Sequence, residues 1–314
     1  MTDSTKPQAR YFPVMKQPML PKGTFSGKTA LITGGGTGLG KGMALMLGSL
    51  GASVAILGRR QHVLENAAKE LESQTGSKIL PCSADIRDPE AVKMAIDKVE
   101  SELGLPTIIV NNAAGNFISP TERLSPNAFK TVIDIVLNGT ANVTLDLGKR
   151  LIAAQKGASI LAITTTYTYR GSAFVVPSAS AKAGVENMMR SLASEWGRYG
   201  IRLNCLAPGP IDTGPDSGAW SRLDPTGSFK DMALEKLPVG RFGGVEELAN
   251  LACFLLSDYS SFMTGETVVF DGGEIGFGAG EFNGLVNVPK DHWDAMEKMI
   301  RETNAKQKGK SSKL

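Results

Sequence analysis

The sequence has little to offer a metal ion or a disulfide. Its 314 residues include two histidines, His62 and His292, and three cysteines, Cys82, Cys205 and Cys253. The cysteines are far apart, odd in number and form no Cys-x-x-Cys pair. Neither a disulfide framework nor a zinc knuckle is expected, and a reducing compartment is. Two histidines are too few for a histidine-rich metal site. No apolar run reaches the ~20 residues that a membrane span needs. Nor is one sign of charge in excess: 34 basic and 31 acidic residues leave a net charge of +3, too balanced to imply a nucleic-acid partner. Residues 1–23 lack an apolar signal core, and Asp3 and several prolines suit an acid-poor transit helix badly.

What is present suits an α/β protein. The chain is 42% hydrophobic and 21% charged, enough for one large domain or two small ones with a sizeable core. From Lys28 onward, apolar runs predict strands at 28–32, 53–57, 78–81, 107–110, 158–164, 201–206 and 267–270. Helices are predicted between them, at 41–50, 65–74, 89–103, 127–155 and 178–199. Pro89 suits a first helical position and Gly76 a helix end. Ala181, Val185, Met188, Leu192 and Trp196 recur at helical spacing, so 178–199 has one buried face. The alternation predicts a single Rossmann-type, doubly wound parallel sheet with helices on both faces. The expected organisation is an irregular lead-in over 1–25, a nucleotide-binding domain over 26–273 and a tail over 274–314. Pro13, Pro18 and Pro21 break the lead-in. Within the domain, 212–238 reads as a lid or binding loop. The tail carries a predicted amphipathic helix over 290–302.

The stretch Thr33-Gly34-Gly35-Gly36-Thr37-Gly38-Leu39-Gly40 lies between the first strand and the first helix. Glycines let backbone approach a ligand closely, and a helix N-terminus offers free N–H groups and a partial positive charge. In that setting the run reads as a dinucleotide phosphate cradle; a plain tight turn is the bland alternative. The second strand runs into Gly58-Arg59-Arg60, with no carboxylate to hold a ribose 2′-hydroxyl. Arginine there accommodates the 2′-phosphate of NADP, unless the pair is only a solvated basic turn. Asp85, past the third strand, is placed to accept from an adenine amino group or to shape a turn. Asn111-Asn112-Ala113-Ala114-Gly115 follows the fourth strand with small residues suited to the adenosine side of a cofactor.

Together with Lys182 and Pro208-Gly209-Pro210-Ile211, these motifs resemble the short-chain dehydrogenase/reductase superfamily over about residues 26–273. The resemblance implies cofactor contacts by Thr33, Gly34, Gly35, Gly36, Thr37, Gly38, Leu39, Arg59, Asp85, Lys182, Pro208, Gly209, Pro210 and Ile211. It also implies a Tyr-x-x-x-Lys pair, and here the sequence departs. Ser178 stands four residues before Lys182, and Thr165 occupies the family's serine position. A serine hydroxyl is a far weaker acid than a phenol of pKa about 10, so protonation of a carbonyl oxygen loses its usual donor. Either the chain is a nucleotide-binding scaffold without catalysis, or hydride goes to a conjugated alkene. In the second case charge moves to a thioester oxygen, which needs hydrogen-bond donors rather than a proton. Tyr167 and Asn116 follow the fifth and fourth strands, at the ends where open α/β sheets bind ligands. Packing alone is the other reading of Tyr167.

The strings Gly115-Asn116-Phe117-Ile118-Ser119-Pro120-Thr121-Glu122-Arg123-Leu124-Ser125-Pro126, 174–184, and Ser221-Arg222-Leu223-Asp224-Pro225-Thr226-Gly227 resemble the mitochondrial-type 2,4-dienoyl-CoA reductases. That resemblance implies NADPH-dependent reduction of trans-2,4-dienoyl-CoA to trans-3-enoyl-CoA in β-oxidation of unsaturated fatty acids. It implies catalytic roles for Tyr167, Asn116, Lys182 and Ser178, substrate contacts by Arg59, Arg87, Asn116, Phe117, Ser125 and Arg222, and a homotetramer. Arginines suit the phosphates of CoA because the guanidinium fork binds them in two places. Ser312-Lys313-Leu314 is the peroxisomal address, so a peroxisomal import receptor is an expected partner, with the mitochondrion as alternative compartment. Among rivals, a carbonyl reductase predicts tyrosine at 178, and a bacterial-type enoyl reductase predicts tyrosine at 176, which is Val176.

Overall fold

Side chains on alternate residues of the central strands belong to two different cores. Ala30 and Ile32 of β1 (Thr29–Thr33) pack with Val54 and Ile56 of β2 (Ser53–Gly58) in one. Leu31, Ala55 and Leu57 pack in the other. Period-two alternation with both faces apolar requires a layer on each side. The computed structural model of the protein describes residues 5–214, 224 and 228–311. By contact, the chain divides into one unit up to Glu274 and another from Ile275 onward.

Seven parallel strands form the sheet of the first unit, in the order β3-β2-β1-β4-β5-β6-β9. The others are β3 (Ile79–Ser83), β4 (Ile108–Asn111), β5 (Ala158–Ile163), β6 (Ile201–Pro208) and β9 (Thr267–Phe270). β7 (Ile211–Asp212) and β8 (Gly243–Gly244) make a small separate pair. The direction of winding reverses between β1 and β4, which opens a crevice beyond their C-terminal ends. The expected doubly wound fold is the one observed.

Helices α1 (Gly38–Ser49), α2 (Gln61–Thr75) and Val245–Leu256 cover one face. Helices α3 (Pro89–Leu103), α5 (Gly139–Ala153) and α7 (Val176–Trp196) cover the other. Gly76 closes α2 in the left-handed region, at φ 70°. The predicted helix 127–155 is interrupted: α4 (Pro126–Ile133) passes through a π turn, Asp134–Asn138, into α5. The one-turn helix α6 (Tyr167–Arg170) and the helix Glu274–Ala279 lie outside the sequence expectations, and the helix that follows the 212–238 segment spans Val245–Leu256. Within 212–238, residues Ser228–Glu235 are helical.

The lead-in, expected to be irregular, carries a short 3-10 helix at Pro7–Tyr11 and is tied down. Lys6 N–H donates to Gly240 O at 2.7 Å, and its ammonium pairs with Glu235 at 2.8 Å. Arg241 Nε donates to Phe12 O at 2.6 Å. Asn250 closes the strap, accepting from Met19 N–H and donating to Gln17 O, each at 2.9 Å. In the second unit, the predicted helix at 290 runs further than expected, over Lys290–Ser311. Among the described residues no helix is long and apolar enough to cross a membrane.

Candidate active site

Two adjoining cavities open at the C-terminal ends of the strands. The first, about 360 Å³, is lined by Gly34, Gly36, Thr37, Gly38 and Leu39 after β1, by Arg59 and Arg60 after β2, and by Asp85 after β3. Its floor requires glycine. Gly34 has φ +67°, and a Cβ there would lie 2.9 Å from Asn112 Nδ2. A Cβ on Gly40 would lie 2.3 Å from Gly34 O. Thr37 caps α1 without a side-chain hydrogen bond, so the first-turn N–H groups are left to an anion. Among the described residues neither Arg59 nor Arg60 forms an ion pair. A cradle of backbone donors at one end and two guanidinium groups without ion partners at the other fits a nicotinamide dinucleotide.

Not every residue of the glycine turn faces that cavity. Thr33 is buried and lines neither cavity. Its hydroxyl oxygen accepts from the N–H groups of Asn112 and Ala113, each at 3.0 Å. Asn112 Nδ2 donates back to Thr33 O at 3.0 Å. Thr33 therefore locks the crevice between β1 and β4. A Cβ on Gly35 would lie 2.7 Å from Ile56 Cγ2, so its smallness serves packing on β2.

The second cavity, about 540 Å³, shares Leu39, Asn112, Ala114 and Thr213 with the first. It brings together Asn116, Tyr167, Ser178 and Lys182, with Pro208, Gly209, Pro210 and Ile211. Ser178 and Lys182 lie one turn apart on α7, and both are buried. The Lys182 ammonium donates to Ile163 O at the end of β5. Burial pulls its pKa down to about 8. Tyr167 begins α6. Burial holds its phenol above the usual value, with the Glu274 carboxylate adding to the effect and Arg170 opposing it. Asn116 Oδ1 accepts from Phe117 N–H at 2.9 Å, which leaves its Nδ2 donor for the cavity.

Three of the substrate residues expected from sequence lie elsewhere. Arg87 lines neither cavity. Its Nη2 and Nε donate to Asp85 at 2.6 and 3.0 Å, and this pairing lowers the Asp85 pKa. Ser125 is the N-cap of α4, accepting from Ala128 N–H at 3.1 Å. Phe117 packs against the α5–α7 core. Arg222 and the terminal Ser312-Lys313-Leu314 lie outside the described residues.

Sequence reading missed several residues of the cavity wall. Arg170 and Glu274 both line it and pair at 2.7 Å. Asp224 is buried, lines it, and accepts from Phe229 and Lys230 N–H at 2.8 and 3.0 Å, at the start of Ser228–Glu235. Phe229, Met232 and Ala233 of that helix supply an apolar wall. Only the acidic residue ahead of a helix gave any local signal.

Residues 34–274 match the family model described as "Enoyl-(Acyl carrier protein) reductase". The chain is 49% identical over 306 residues to a Caenorhabditis elegans protein named probable 2,4-dienoyl-CoA reductase 3 [(3E)-enoyl-CoA-producing], covering 95% of this chain and 97% of that one. It is 40% identical over 248 residues to a Danio rerio protein named peroxisomal 2,4-dienoyl-CoA reductase [(3E)-enoyl-CoA-producing], covering 79% and 81%. A solved short-chain dehydrogenase from Bacillus anthracis superposes with a TM-score of 0.72 at 39% identity, covering 79% of this chain and 97% of that one.

Proposed function

The chain belongs to the short-chain dehydrogenase/reductase family, and from that premise we propose that it is an NADPH-dependent 2,4-dienoyl-CoA reductase yielding trans-3-enoyl-CoA. The observation that carries this reading is the shared cavity of Tyr167, Asn116 and Lys182, with Ser178 where a phenol would stand. The relatives named above support it.

When bound, the nicotinamide supplies hydride. Lys182, buried and anchored on Ile163, is positioned for the nicotinamide ribose, and Ser178 supports it from one turn away. Tyr167 and Asn116 donate to the thioester oxygen as charge reaches it. That oxygen becomes an enolate held by two donors, and the proton goes to carbon. Donors preset at a developing oxyanion contribute ~3 kcal/mol each. Raising the phenol's pKa keeps it an O–H donor across the physiological range. Arg59 and Arg60 hold the cofactor's 2′-phosphate, and Asp85 shapes the adenine side. Arg222, with Arg59, is assigned to the substrate's CoA. A peroxisomal site of action through Ser312-Lys313-Leu314 and a homotetramer complete the proposal; the zebrafish relative's name supports the compartment.

The test is NADPH oxidation with 2,4-hexadienoyl-CoA beside acetoacetyl-CoA, with the enoyl product identified. Turnover of the dienoyl thioester alone, to the 3-enoyl isomer, is expected. Preference for acetoacetyl-CoA would make the protein a carbonyl reductase, and no turnover would leave a nucleotide-binding scaffold.

A further inference from the structure

The turn that carries Tyr167 is too short to hold itself. Helix α6 has four residues, and one turn of helix fixes several dihedrals for very little hydrogen bonding. Its own backbone bonds are few. Gly171 N–H donates to Tyr167 O at 2.9 Å, while Thr168 and Tyr169 N–H reach back at 3.4 and 3.3 Å. Gly171 then leaves the helix at φ 71°.

Its other three side chains are each tied to a different part of the molecule. Thr168 Oγ1 donates to Glu186 Oε1 at 2.9 Å. Glu186 is buried one turn beyond Lys182 on α7, so one helix sets both the lysine and the tyrosine turn. The Tyr169 hydroxyl donates to Thr267 O on the edge strand β9 at 3.2 Å. Arg170 Nη2 donates to Glu274 Oε1 at 2.7 Å. The Arg170 and Glu274 side chains are 29% and 12% exposed, and a pair this shielded cannot lose one member without leaving the other charge poorly solvated. Tyr167 alone among the four points its polar atom at no protein partner among the described residues.

We propose that Glu274 and Arg170 are positioning residues for Tyr167: their ion pair clamps α6 against the cavity wall so that the phenol meets the substrate oxygen. The proposal rests on the reading of Tyr167 as an oxyanion donor. The two charges also act on the phenol in opposite senses, the carboxylate raising its pKa and the guanidinium lowering it. Lys182, Lys236 and Asp224 are the other charged groups on the cavity wall.

The experiment uses the full chain labelled with ¹³Cζ-tyrosine, which gives five resonances to assign. Glu274→Gln, Arg170→Gln and Glu274→Asp are compared, with NADPH affinity and thermal melting as controls for the fold. The Tyr167 titration should move down in pH in Glu274→Gln and up in Arg170→Gln. Misplacing a reacting group slightly is costly, so kcat with 2,4-hexadienoyl-CoA should fall about tenfold or more in both. NADPH affinity should hold, and Glu274→Asp should recover part of the rate. Unmoved Tyr167 resonances, shifts of the same sign in both variants, or unchanged kcat would overturn the clamp. If the unsubstituted protein does not turn over the dienoyl thioester, the functional reading falls while the tyrosine titrations still decide the clamp.

Discussion

The ammonium of Lys182 donates to the main-chain carbonyl of Ile163, joining the second turn of α7 to the last residue of the central strand β5. A cation is thereby held inside the protein at the edge of the cavity, and its burial has a pH signature. Below about pH 8 the lysine is charged in both folded and unfolded chains, and folding must bury the charge. Between about 8 and the ordinary value of 10.5 the unfolded chain holds a proton that the folded one has released, so stability rises with pH. Above both values the penalty is gone. For Lys182→Met in cofactor-free protein, the stability difference in favour of Met should be greatest at pH 7. It should shrink by on the order of 3 kcal/mol by pH 10.5. Denaturant melts across that range check it, and a difference independent of pH would refute it.

Tyr167→Phe removes one hydroxyl from the wall of the larger cavity. Turnover of 2,4-hexadienoyl-CoA should fall about 10²–10³-fold, in line with removal of other oxyanion donors. NADPH affinity should stay within about twofold by fluorescence titration, because Tyr167 lines the larger cavity and not the one formed by the glycine turn. Undiminished turnover would assign the proton-free stabilisation to another group.

Arg59→Asp places a carboxylate where a 2′-hydroxyl is held in NAD-dependent relatives of this fold. The ratio of kcat/KM for NADPH over NADH should drop about tenfold to a hundredfold, the value of a charge-assisted hydrogen bond. Steady-state kinetics with both cofactors measure it. A ratio that does not move makes Arg59 a bystander and leaves discrimination to Arg60.

Thr33→Val deletes the oxygen that accepts from Asn112 and Ala113 while keeping the shape of the side chain. Two backbone N–H groups lose their partner, so the protein should be destabilised by about 2–4 kcal/mol. NADPH should bind more weakly through loss of the crevice's width. Urea unfolding and isothermal titration test both. A stability change under 0.5 kcal/mol would mean that water replaces the hydroxyl at no cost.

The parts that could be read from sequence depend on local chemistry. Apolar runs such as Leu31–Ile32 and Ala55–Leu57 mark strands because the sheet is covered on both faces. Gly34, Gly38 and Gly40 mark the cradle because only glycine fits there. Ser178 four residues before Lys182 is a departure visible without coordinates. The parts that could not be read depend on partners far along the chain. Glu274 follows two glycines and carries no periodic signal, yet it meets Arg170 across more than a hundred residues. The π turn Asp134–Asn138 hides inside an unbroken helical pattern. Arg87 and Ser125 resemble substrate ligands by position, but Asp85 and the N-terminus of α4 engage them first.

The strap has a consequence for how the chain matures. Lys6 waits for Glu235, and Met19 for Asn250, separations of 229 and 231 residues. The strap is thus among the last segments to find its place, after the sheet from β1 to β6 has been made. Contacts this remote in sequence form late, and the helix Ser228–Glu235 cannot be pinned from that side before they do. A nascent or refolding chain should acquire its glycine-turn cavity, built wholly from nearer neighbours, before the larger cavity is closed off.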